Sequence, residues 1–62
     1  MNAREAVKAL KKLVPDFQSI TASKEIPGCY DVVVDNGFET EYFTYKPERL
    51  GFRLIGVIAV EN

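Results

Sequence analysis

The run FRLIGVIAV at residues 52–60 constrains the fold more than any other stretch of this chain. Read with a period of two, it places Phe52, Leu54, Ile58 and Val60 on one face and Ile55, Val57 and Ala59 on the other. Both faces are apolar, which is the pattern of a strand buried on two sides. The remainder of the chain offers a single helix. One helix covers one face of an antiparallel sheet, so the pattern predicts that something outside the chain covers the rest.

The helix is legible from its start. Asn2 can accept a hydrogen bond from the amide of Glu5 while Glu5 reaches back, the arrangement of a capping box with Asn as the cap. Ala3, Ala6, Val7, Leu10, Leu13 and Val14 recur at i, i+3, i+4 and i+7, which makes one apolar stripe. Glu5 in the first turn and Lys8, Lys11 and Lys12 further on complement the helix dipole. Pro15 ends the helix, because the residue before a proline avoids the helical region.

From Phe17 the period falls to two. FQSITASK predicts a first strand, and Pro27-Gly28 a turn. Residues 29–34 predict a second strand with Tyr30, Val32 and Val34 towards the core and Cys29, Asp31 and Val33 away from it. Asp35-Asn36-Gly37 tolerates positive φ and predicts a tight hairpin. FETEYFTYK follows as a strand with aromatics on both faces, Tyr42 on one and Phe43 and Tyr45 on the other, so its orientation stays open. KPERLG predicts a loop before the last strand. The expected class is α+β: one N-terminal amphipathic helix packed on a curved antiparallel sheet of three to four strands, in a single domain spanning residues 1–62.

Size and composition narrow the function. A chain of 62 residues buries a thin core, roughly 60% of its unfolded surface, and such domains often add a staple. The single cysteine, Cys29, cannot form an internal disulfide, and with no histidine a zinc cage is not expected. Self-association is the staple left. A net charge of −1 supplies no field for nucleic acid. No apolar run approaches the roughly 20 residues of a membrane helix. MNAREAVKALKKL lacks the continuous apolar segment of a signal peptide, so a native start at Met1 implies the cytoplasm; a fragment of a secreted protein would instead be periplasmic.

Candidate chemistry is sparse, and each candidate has a structural reading. A reactive Cys29 would need a cation, a helix N-terminus or a histidine beside it; its neighbours are Gly28, Tyr30 and Asp31, so it reads as a small packing residue. Glu39 and Glu41, about 7 Å apart on one strand face, could pair in acid–base catalysis, but alternating acids equally serve a solvated strand face. Asp31, Asp35 and Asn36 read as turn chemistry, since a calcium loop needs more oxygens at set offsets. Tyr42, Phe43, Tyr45 and Lys46 could stack bases, with Lys8, Lys11 and Lys12 completing a basic patch if the helix end lies near Lys46. Glu39 and Glu41 stand against that reading. No catalytic, cofactor-binding or metal-binding residue is assigned, and no enzymatic activity or cofactor is expected.

The sequence EIPGCYDVVVDNG, followed by EYFTYK and then FRLIGVIAV, resembles the N-terminal dimerisation domain of periplasmic disulfide isomerases of the DsbC type. Gly28, Gly37, Tyr42 and Gly56 match by spacing, and the preceding helix and FQSITASK strand lie in the same order. The resemblance implies a cystatin-like domain that homodimerises through strand contacts. It carries over no catalytic residue, because the thioredoxin-like domain with its Cys-x-x-Cys motif has no counterpart in these residues. The expectation is therefore a non-enzymatic protein-interaction and homodimerisation domain. Phe52, Leu54, Ile55, Val57 and Ile58 would be shared between core and interface, with Tyr42, Phe43 and Tyr45 as anchors. The alternatives are a small inhibitor or adaptor, of the kind phages and mobile elements encode, that binds one host protein, and, with less support, a nucleic-acid-binding domain.

Overall fold

The computed structural model describes residues 2–62. One helix, α1 (Ala3–Leu13), precedes four strands, β1 (Ser19–Ala22), β2 (Tyr30–Asp35), β3 (Glu39–Glu48) and β4 (Gly51–Glu61). The strands form one antiparallel sheet in sequence order, an open meander with β1 and β4 as its edges. This is the α+β architecture that the sequence predicts, with the helix packed on the sheet.

Local chemistry explains the ends of α1. The Asn2 side chain accepts from the Glu5 amide at 2.8 Å, so one half of the capping box forms; among the described residues no return bond reaches the Asn2 amide. At the other end Val14, held out of helical geometry by Pro15, still donates its N–H to the Leu10 carbonyl at 2.9 Å. Lys11 then lies over the Phe17 ring, 5.7 Å from its centroid, as the chain turns back towards β1.

The core is small. Ala6 and Leu10, one turn apart on α1, are buried, and Leu10 meets Val32 and Val34 of β2. Val14, Phe17, Ile20, Tyr30, Phe43, Tyr45 and Phe52 pack around that centre, each only partly buried. The register assigns β3 its orientation. Val32 faces Phe43 and Tyr30 faces Tyr45 directly across the strands, so Phe43 and Tyr45 point towards the helix and Tyr42 and Thr44 away from it.

Two expectations for the C-terminal half need correction. KPERLG is not a loop: β3 continues through Pro47 and Glu48, Pro47 pairs with Phe52, and the turn narrows to Arg49 and Leu50, with Gly51 at φ 149°. The proline is tolerated because β2 begins at Tyr30, opposite Tyr45. Residues 46–48 therefore have a neighbour on one side alone, and a missing donor can face open space.

The faces of β4 also differ from the strict alternation. Thr44 pairs with Gly56 but Tyr45 pairs with Leu54, which leaves Ile55 as the extra residue of a β-bulge. The bulge changes phase, so Phe52 and Leu54 share the helix side with Val57 and Ala59, while Arg53, Gly56, Ile58 and Val60 lie on the far side. An isolated glycine inside a strand run was the available signal. Nor is β4 doubly buried. It is an edge strand with exposed side chains on both faces.

The β2–β3 turn and the end of β4 are tied together by polar contacts. In the β2–β3 turn the Asp35 carboxylate accepts from the Gly37 amide at 2.8 Å, and Asn36 Oδ1 accepts from Phe38 and Glu39 at 3.0 and 2.8 Å. Asn62 then donates from Nδ2 to Asp35 at 3.0 Å and accepts from Thr40 Oγ1 at 2.6 Å, fastening the end of β4 to that hairpin.

Since Leu10 is fully buried at the centre of the helix–sheet packing, Leu10→Ala should lower unfolding free energy by about 2–5 kcal/mol. Loss of the cap in Asn2→Ala should cost about 0.5–2 kcal/mol. Urea titrations followed by circular dichroism compare both with the parent protein, and equal midpoints for Leu10→Ala and parent would contradict this account of the core.

Candidate functional site

The sheet outruns its cover. The ten steps of an eleven-residue helix rise about 15 Å at 1.5 Å per residue, whereas those of an eleven-residue strand span about 33 Å. The molecule's longest dimension is 34 Å, so β4 runs nearly its full length. The helix packs against the β1–β2 half, where its buried residues meet Val32 and Val34. The helix side of β4 is left open. Leu54 and Val57 on that side are 44% and 53% exposed, and Ile55, at the bulge between them, is 40% exposed.

The eight residues expected to share core and interface separate into three groups. Phe43, Tyr45 and Phe52 belong to the protein's own core: Tyr45 stacks edge-on against Phe52 at 6.5 Å between centroids and lies 6.4 Å from Phe43. Leu54, Ile55 and Val57 form the exposed apolar strip beside them. Tyr42 and Ile58, directly opposite one another, lie on the far face, where Ile58 is 64% exposed. The sequence pattern thus names residues on two separate surfaces. Two more large apolar side chains, Phe38 and Leu50, project from the hairpin turns, and neither belongs to the pattern that singled out the strand.

Charge is divided between the helix and the uncovered half of the sheet. Glu39 and Glu41 share the helix side of β3, and Glu61 stands directly across from Glu39. Like charges opposed across a ladder repel, so this corner favours an approaching cation. Arg4, Lys8 and Lys11 meanwhile flank a shallow groove of about 510 Å³ along α1, whose apolar floor is Ala3 and Val7. The proposed union of the helix lysines with Lys46 does not form. Lys46 pairs with Arg53 on the far face, because it follows Tyr45, which points to the core.

The remaining candidates take structural roles. Cys29 is buried at the closure of the β1–β2 loop, donating its N–H to the Ile26 carbonyl at 3.1 Å and accepting from the Ser23 amide at 2.9 Å. Asp35 and Asn36 cap the hairpin, and Asp31 accepts from Thr44 Oγ1 at 3.0 Å. Among the described residues, no cluster of three or more His, Cys, Asp or Glu side chains is placed to hold a metal ion. No described helix is long and apolar enough to cross a membrane. What the sequence reading missed is the loop that Cys29 closes, which carries Ile26 over the far face. Nothing local in SKEIPG marks that position.

No family model matches this chain, and neither the curated proteins nor the solved structures contain a match to it.

A thiol 4% exposed and enclosed by a hydrogen-bonded loop should react with Ellman's reagent no faster than that loop opens. The native rate should fall well below that of the urea-unfolded chain. Equal rates would mean that Cys29 is open to solvent.

Proposed function

We propose that this chain is a non-enzymatic protein-interaction domain that forms a homodimer through the uncovered helix side of β3 and β4. The carrying observation is the exposed strip Leu54, Ile55 and Val57, which the chain's own helix is too short to reach. Removing a large apolar side chain from water is worth roughly 1.5–3 kcal/mol, so three such residues from each copy supply a useful driving force.

Charge favours a second copy as the partner. The strip lies beside Glu39, Glu41 and Glu61, and the apolar groove on α1 lies beside Arg4, Lys8 and Lys11. Each surface complements the other, and one chain carries both. In a two-fold dimer the helix of each protomer lies over the strip of its partner, so both contacts are made twice. The likeness of EIPGCYDVVVDNG, EYFTYK and FRLIGVIAV to the dimerisation module of DsbC-type isomerases, with its cystatin-like arrangement, supports the same reading. An adaptor that binds one host protein through this strip would leave the chain monomeric on its own.

Sedimentation equilibrium at high micromolar concentration should return a dimer. Val57→Asp should raise the dimer dissociation constant by at least about tenfold, the equivalent of losing roughly 1.5–3 kcal/mol of burial, with the circular dichroism spectrum retained. Raising salt from low to high should also weaken the dimer, because it screens the carboxylate–lysine contacts. A strictly monomeric parent protein would remove the proposal, and a dimer indifferent to Val57→Asp would place the interface elsewhere.

A further inference from the structure

The far face of the sheet carries a hollow that the dimer does not use. Residues 23–29 do not splay into solvent after β1; three hydrogen bonds close them into a compact loop. Ile26 donates its N–H to Ser23 Oγ at 3.2 Å, Ser23 donates to the Cys29 carbonyl at 2.9 Å, and Cys29 donates to the Ile26 carbonyl at 3.1 Å. Gly28, at φ 86°, supplies the left-handed step that the closure needs. The loop thereby brings Glu25 and Ile26 up beside the sheet. Between them and Asp31, Tyr42, Gly56 and Ile58 lies a cleft of about 280 Å³.

Gly56 shows that the depth of this cleft is not a by-product of packing. Its φ lies outside the left-handed region, and a Cβ built there would sit 3.7 Å from Thr44 Cβ and Oγ1, an ordinary contact. Neither backbone geometry nor crowding demands glycine at this position. What its missing side chain preserves is an open floor.

The chemistry of the walls selects a cation on an apolar stem. Glu25 and Asp31 are the charged groups lining the cleft, and both are acidic. Asp31 Oδ1 accepts from Thr44 Oγ1 at 3.0 Å, which holds the carboxylate in place, and among the described residues no hydrogen bond reaches Oδ2. No cation lines the cleft, and among the described residues none forms an ion pair with Glu25 or Asp31; Arg53, beyond it on this face, directs its Nε to Glu48 at 3.5 Å. Ile26, Ile58 and Tyr42 supply apolar surface to the same cleft. The volume lies just below the range of about 300–1,000 Å³ typical of small-molecule sites and suits one inserted side chain.

We propose that this cleft binds an arginine side chain presented by a partner protein. The guanidinium hydrogen-bonds to Asp31 Oδ2, with Glu25 adding a second negative charge, while the alkyl stem and the planar head lie against Ile26, Ile58 and Tyr42. Arginine fits better than lysine because its fork matches a carboxylate and its flat face stacks on an aromatic ring. The site opens on the side of the sheet opposite the dimer strip and shares only Val57 with it, so the cleft is probed through Asp31 and Gly56, which the strip does not include.

The test is a titration of the ¹⁵N-labelled full chain with N-propylguanidinium chloride, with its uncharged isostere N-propylurea, and with the peptide acetyl-Gly-Arg-Gly-amide. The expected result is saturable amide shifts at Ile26, Asp31, Thr44 and Gly56, in the millimolar range, with the guanidinium and with the peptide. N-propylurea should bind at least about tenfold more weakly, the scale of losing a charge-assisted hydrogen bond. Asp31→Asn, which keeps an acceptor for Thr44, should weaken the guanidinium by a similar factor with an unchanged spectrum elsewhere. Gly56→Val should fold normally and abolish the shifts by filling the floor. Absent shifts, equal responses to the guanidinium and the urea, or shifts centred on Glu39, Glu41 and Glu61 would each overturn the site. Binding of the guanidinium without binding of the peptide would overturn the partner-protein assignment.

Discussion

The contact of Leu10 with Val32 and Val34 is the buried centre of the helix–sheet packing, and the rest of the molecule is arranged around its small size. Leu10 and Val32 are the largest side chains that the described residues bury completely. An eleven-residue helix reaches β1 and β2 and stops there. β3 and β4 are held instead by their own pairing, by the Phe43, Tyr45 and Phe52 cluster, and by the Asn62 side chain fastened to Asp35 and Thr40. The C-terminal half is thus a long hairpin supported from one end, with an apolar strip on the side the helix does not reach.

That arrangement separates two surfaces with opposite chemistry requirements. On the helix side, exposed aliphatic residues lie beside Glu39, Glu41 and Glu61, and the helix carries the matching cations and an apolar groove. These two surfaces complement each other within one chain, which is why a second copy is the partner proposed for them. The far side is different. There the feature is a recess, built by a hydrogen-bonded loop and a side-chain-free floor, and its acids face no cation in the same recess. One surface is a run of exposed apolar side chains on an edge strand; the other is a recess lined by two acids.

Much of this architecture could be read locally. The cap at Asn2, the apolar stripe through Leu10, the stop at Pro15, the Val32/Val34 core face and the turn at Asp35-Asn36-Gly37 each follow from interactions within a few residues. The excess of apolar residues at 52–60 was equally visible, and so was the conclusion that one helix could not cover it. Leu54, Ile55 and Val57, which that reasoning named, are exposed in the fold. Phe43, Tyr45 and Phe52 were found with them because apolar pattern alone does not distinguish a core from a surface.

The tertiary structure decided what local rules cannot. The bulge at Ile55 exists because β4 must stay paired with β3 on both sides of it, and that single extra residue reverses which side chains accompany Val57. Pro47 stays in its strand because β2 happens to begin opposite Tyr45, a fact about a neighbour rather than about proline. Lys46 is turned from the helix lysines by the same alternation that sends Tyr45 inward. Sequence by itself therefore settled which elements form and that the sheet is short of cover. Register and helix reach, which depend on distant partners, settled where the uncovered surface lies and that a cleft opens on the opposite face.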